Sequence, residues 1–140
     1  VRAWVPLAGK ALSAARDRDY DRASRAIHAI SVRYGEEQIP WVMLAWIDTM
    51  ATACGLRPQP GAAVGVLWQH ESGGAITEAD DTPPAVRWAG RAVAARLADD
   101  YGQFEALVNS CSGDQEWSAN VGAVLDICAS MLRKHAGESS

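Results

Sequence analysis

The hydrophobic and polar positions along this chain follow a helical period through most of its length. Leu7, Ala8, Ala11, Leu12 and Ala15 fall on one face between Pro6, suited to a first helical turn, and Arg16. Asp19 then offers an N-cap for a second helix, in which Tyr20, Ala23, Ile27, Ile30 and Tyr34 keep the three-four spacing and Gly35 supplies the stop. A third helix is predicted from Pro40 to Cys54, ended by Gly55 and Pro58. It is apolar nearly all round, the pattern of a helix central to the core or set in a subunit interface.

The period changes after Arg57. Pro58, Pro60 and Gly61 interrupt the chain, and the runs Val64–Gln69 and Ala75–Glu78 flank a Ser72-Gly73-Gly74 turn, which predicts a β-hairpin. Helical spacing resumes beyond Thr82 and Pro83 with Val86, Val93 and Leu97. Asp100 with Gln103 and Ser112 with Gln115 then read as capping boxes for two further helices. The first carries Phe104, Leu107, Val108 and Cys111, and the second Trp117, Val121, Val124, Leu125, Cys128, Met131 and Leu132. The expected fold is mainly α, about six helices in one domain over residues 1–140.

Two stretches resemble each other. Ala14-Ala15-Arg16 leads to Asp19-Tyr20, and Ala94-Ala95-Arg96 leads, with one residue inserted, to Asp100-Tyr101. Each is followed by a helix, a turn and a helix with an acid at its centre, Asp48 or Asp126. The reading is two pseudo-repeated helical hairpins, about 7–55 and 85–136, around an unduplicated segment 57–84.

Composition narrows the function. With 140 residues, 49% hydrophobic and 21% charged, the chain can bury a core and is a poor candidate for disorder. A net charge of -4 argues against a dedicated nucleic-acid binder. No run spans a bilayer, and Pro6, Gly9 and Lys10 make the start a poor secretory signal, so a cytoplasmic location is expected. Cys54, Cys111 and Cys128 are odd in number and widely spaced, which fits small core residues better than a disulfide or metal framework. No metal or other cofactor is implied. The preference for Arg over Lys, with abundant Ala, points to a GC-rich bacterial genome.

Candidate chemistry is sparse. Asp48 and Asp126 stand alone in apolar helices, where a buried carboxylate is costly unless paired. They read either as acids satisfied by Arg16 and Arg96 or as a pair facing a pocket. Trp68, His70 and Glu71 at the hairpin, with Arg87 and Arg91 one helical turn apart, form the expected partner surface. Trp41, Trp46, Trp88 and Trp117 fit apolar helix faces, while Trp4 and Trp68 read as peripheral anchors. The expectation is a non-enzymatic interaction or regulatory protein that binds a protein partner or self-associates as a homodimer through its third helix. The alternative is a small-molecule binder or enzyme using the Asp pair.

The run Asp81-Thr82-Pro83-Pro84-Ala85-Val86-Arg87-Trp88-Ala89-Gly90-Arg91, continued by Ala94-Ala95-Arg96 and Asp99-Asp100, resembles small actinobacterial and phage-associated proteins of unknown function. The resemblance covers the C-terminal half. It implies no activity and assigns no site residue.

Overall fold

The computed structural model describes residues 2–60 and 82–137. Among them are six α-helices and no strand: α1 (Val5–Arg16), α2 (Tyr20–Tyr34), α3 (Ile39–Ala53), α4 (Pro84–Leu97), α5 (Tyr101–Asn109) and α6 (Asp114–His135). A 3-10 turn, Glu36–Gln38, leads into α3. The expected β-hairpin, with Trp68, His70 and Glu71, lies outside the described residues. The chain divides into two compact units, Val1–Cys54 with Cys128–Ser140, and Gly55–Ile127.

In the first unit α1 packs on α2 and on α3. Ala8, Ala11, Ala14 and Ala15 are buried on α1, and Ala23, Ala26 and Ile30 on α2, so small side chains let the two helices approach closely. From α3 come Val42, Met43, Trp46, Ile47 and Met50, all almost fully enclosed. Helix α3 therefore contributes to the core of the first unit, while Trp41 near its start stays 39% exposed. The Trp46 indole Nε1 donates to the Ala8 carbonyl at 2.9 Å and so pins α3 to α1 without stranding its own N–H.

Arg133, near the end of α6, is buried, and its Nη1 donates to the carbonyls of Ala15 (3.0 Å) and Arg16 (3.3 Å). These carbonyls lie in the last turn of α1, and the Ala15 carbonyl also accepts from the Arg18 amide at 3.0 Å. The cation also suits the negative end of the α1 dipole, which is a physical reason for a buried arginine here.

The second unit holds α4, α5 and the first part of α6. Ala89, Ala92, Val93 and Leu97 are buried on α4, Phe104 and Leu107 on α5, and Val121, Val124 and Leu125 on α6. The Trp88 indole donates to the Leu107 carbonyl at 3.0 Å, and Trp88 meets Trp117 edge-on at 6.2 Å. Helix α4 begins after Pro83 with no side-chain cap, so Thr82 does not play the capping role expected of it. At α6 it is Glu116, not Gln115, that reaches back, accepting from the Ser112 amide at 3.0 Å.

The α1–α2 and α4–α5 corners share one geometry. Arg18 and Asp99 both take a left-handed backbone, φ 62 and φ 57. The following amides, Asp19 and Asp100, each donate back at 2.8 Å, to Ala14 and Ala95 respectively. Arg18 N–H reaches Ala15 and Asp99 N–H reaches Arg96, completing a Schellman closure at both sites. The same two aspartates then cap the next helix, accepting from the amides of Arg22 (3.2 Å) and Gln103 (3.0 Å). One residue thus ends one helix and starts the next.

Superposing these two corners by their hydrogen bonds gives a register different from the one inferred above. No residue is inserted: Ala14 corresponds to Ala95, and Ala8-Gly9-Lys10-Ala11-Leu12 corresponds to Ala89-Gly90-Arg91-Ala92-Val93. Arg16 therefore corresponds to Leu97, not to Arg96. The likeness weakens beyond the corner, since α2 has 15 residues and α5 has 9. The corner register therefore does not make Asp48 and Asp126 equivalent.

Candidate functional site

A cleft of about 650 Å³ opens in the second unit, within the range of sites that hold small ligands. Helix α4 supplies one wall, with Pro84, Ala85, Arg87, Trp88 and Arg91. Ser112 and the first turns of α6, with Gln115, Glu116, Ala119 and Asn120, supply the other. The spacing on α4 puts Arg87 and Arg91 on one face, one turn apart.

Arg87 is half-buried. Its Nη2 donates to the Thr82 carbonyl at 3.2 Å, while its Nε–H is buried and has no acceptor. Arg91 is exposed, and no ion pair joins either arginine to Glu116 across the cleft. Asn120 is 3% exposed and donates from Nδ2 to the Cys111 Sγ at 3.3 Å. The Cys111 thiol lies above its ordinary pKa: burial raises it most, the Asn120 hydrogen bond opposes this, and the Glu116 charge raises it further. It is protonated at neutral pH and a poor nucleophile.

Two guanidiniums, each a planar fork of N–H groups, share the lining with the Trp88 indole, two alanines, the Glu116 carboxylate and the carboxamides of Gln115 and Asn120.

The first unit has its own groove, about 410 Å³, lined among others by Val5, Leu12, Trp46, Thr49, Leu132 and Arg16. Its lining is mostly apolar. Arg16 at its edge is exposed and lies 4.0 Å from Asp17.

The other expected site residues are divided between the two units. Asp48 is half-buried in the first unit and Asp126 is exposed in the second, so the premise of two buried acids does not hold. Both make interactions, as does the half-buried Arg96. The tryptophans also exchange roles. Trp4, read as a peripheral anchor, is 5% exposed and donates to Gln38 Oε1 at 3.1 Å, whereas Trp41, read as core, is 39% exposed with Arg2 stacked 5.0 Å from its ring centre. Sequence reasoning missed Asn120 and Glu116, although both follow Arg87 and Arg91 into the same cleft. Their only signal was position: polar residues on the α6 face that carries Trp117.

Among the described residues no group of three His, Cys, Asp or Glu side chains is placed to hold a metal, and no helix is long and apolar enough to cross a membrane. No protein-family model, curated protein or solved structure matches this chain.

Proposed function

We propose that this chain is a non-enzymatic binding protein of regulatory type, whose working surface is the cleft between α4 and α6, and that its ligand carries a carboxylate. The observation that carries the reading is the Arg87–Arg91 pair: two guanidiniums on one helix face, lining a cleft, with the Arg87 Nε–H buried and unmet. A buried donor without an acceptor costs roughly 1–3 kcal/mol. An incoming carboxylate that draws the Arg87 guanidinium toward the cleft supplies that acceptor, and Arg91 supplies the second charge-assisted bond. Cys111, which the cleft residue Asn120 hydrogen-bonds, is held protonated at neutral pH, which favours binding over nucleophilic chemistry.

The carboxylate can belong to a small molecule or to a protein partner, since both bring the same chemistry to the arginines. The shared geometry of the two corners, and the matched run around Gly9 and Gly90, support reading α1–α2 and α4–α5 as copies of one hairpin. On that reading Lys10 is the counterpart of Arg91, and the second copy has gained Arg87 and Trp88 where the first has Pro6 and Leu7.

The test is a titration with sodium propionate at constant ionic strength, followed by NMR. Saturable shifts of the Arg91 side chain and the Asn120 carboxamide are expected, weakened about tenfold or more in Arg91→Gln. Shifts that never saturate, or that persist unchanged in Arg91→Gln, contradict the reading.

A further inference from the structure

The cleft carries both signs of charge, and they do not neutralise each other. Arg87 and Arg91 stand on the α4 wall and Glu116 on the α6 wall, with no ion pair between them. Only one oxygen of Glu116 has a described structural role, accepting from the Ser112 amide at 3.0 Å; its second oxygen is available as an acceptor. A polyanionic ligand is disfavoured here, because a second negative charge meets Glu116. A ligand with one carboxylate and one cationic group meets complementary charge on both walls.

We infer that the ligand is an α-amino acid, or a molecule ending in that zwitterion, with its carboxylate on Arg87 and Arg91 and its ammonium on Glu116. This rests on the reading of the cleft as a carboxylate site and adds the second contact. An ammonium offers three donors and no acceptor, so it suits the outer carboxylate oxygen of Glu116 and the carboxamide oxygen of Gln115 on the same wall. The side chain faces Trp88, Ala85 and Ala119, which favours an apolar residue.

The experiment compares L-leucine with N-acetyl-L-leucine by calorimetry at fixed ionic strength. The two share the carboxylate and the side chain, but the second replaces the ammonium with an amide, as at the C-terminus of a protein. L-leucine is expected to bind at least tenfold more tightly. In Glu116→Gln, which keeps an oxygen for the Ser112 amide, that preference is expected to fall to about twofold or less. Circular dichroism of the variant checks that α6 is retained. A wild-type chain that binds N-acetyl-L-leucine as tightly as L-leucine, or tighter, overturns the zwitterion and leaves the carboxylate site standing, with a protein C-terminus as its ligand. Failure of both compounds, together with propionate, overturns the carboxylate site itself. A Glu116→Gln chain that keeps the full preference also overturns the inference.

Discussion

The two corners of this protein are built alike, and the units that contain them use tryptophan differently. In the first unit Trp46 is 1% exposed and its indole donates to a carbonyl of α1. In the second, Trp88 is half-buried, its indole donates to a carbonyl of α5, and one side of it walls a cleft. Each tryptophan satisfies its N–H on a helix carbonyl, yet one closes a core and the other borders a cleft. A corner fixed by backbone hydrogen bonds and a capping aspartate leaves the flanking faces free to differ, and in the second unit arginines stand there.

The comparison breaks first at the tryptophans. Trp46→Ala is expected to cost about 3–5 kcal/mol, the range for removing a buried aromatic, and Trp88→Ala clearly less, since part of its ring already faces solvent. Denaturant unfolding of both variants checks this; equal losses would mean that Trp88 is as much a core residue as Trp46.

A second difference lies in a thiol of the first unit. Burial pushes the Cys128 thiol far above its ordinary value of 9.0, with the nearby Cys54 adding to the shift. The folded chain therefore keeps this proton after the unfolded chain has lost it. Stability is fully present below about pH 9 and falls above it, by up to about 1.4 kcal/mol per pH unit from this group. Wild type is expected to lose stability between pH 9 and 10 faster than Cys128→Ala. Parallel pH profiles would remove the claim that this thiol is sealed.

The likeness of the corners is tested by their caps. Asp19→Ala and Asp100→Ala are each expected to cost about 1 kcal/mol, because each removes one acceptor from a helix start. A large difference between them would show that the corners only look alike. The smallest effect is at the left-handed residues. Glycine at position 18 or 99 relieves the backbone, and Arg18→Gly is expected to stabilise by roughly 0.5–1 kcal/mol. Asp99→Gly should gain less, since aspartate tolerates this conformation better than arginine. Thermal melts of the two variants measure the order.

Much of the helical framework was legible in the pattern. Pro6, Asp19, Gly35 and Asp100 mark local boundaries, and local boundaries are set by backbone chemistry that neighbouring residues report directly. The corner register was legible as well, in Ala8-Gly9-Lys10-Ala11 and Ala89-Gly90-Arg91-Ala92, but Ala-Ala-Arg drew the alignment one residue aside. Burial of individual side chains was not. Asp126 sits in an apolar helix yet points to solvent, because periodicity shows that a polar face exists without showing how wide it is. The cleft was half legible. Arg87 and Arg91 declared themselves by spacing, whereas Glu116 and Asn120 join them only through packing between α4 and α6, distant in sequence.

The most direct test follows the two indole N–H signals while propionate is added to the isotope-labelled chain. Trp88 lines the cleft, so its Nε1–H, bonded to the Leu107 carbonyl, should shift and saturate together with Arg91, while Trp46 Nε1–H, sealed against Ala8, should stay in place. Movement of Trp46 with Trp88 unchanged, or no saturable movement of either, would contradict the assignment of binding to the second unit's cleft.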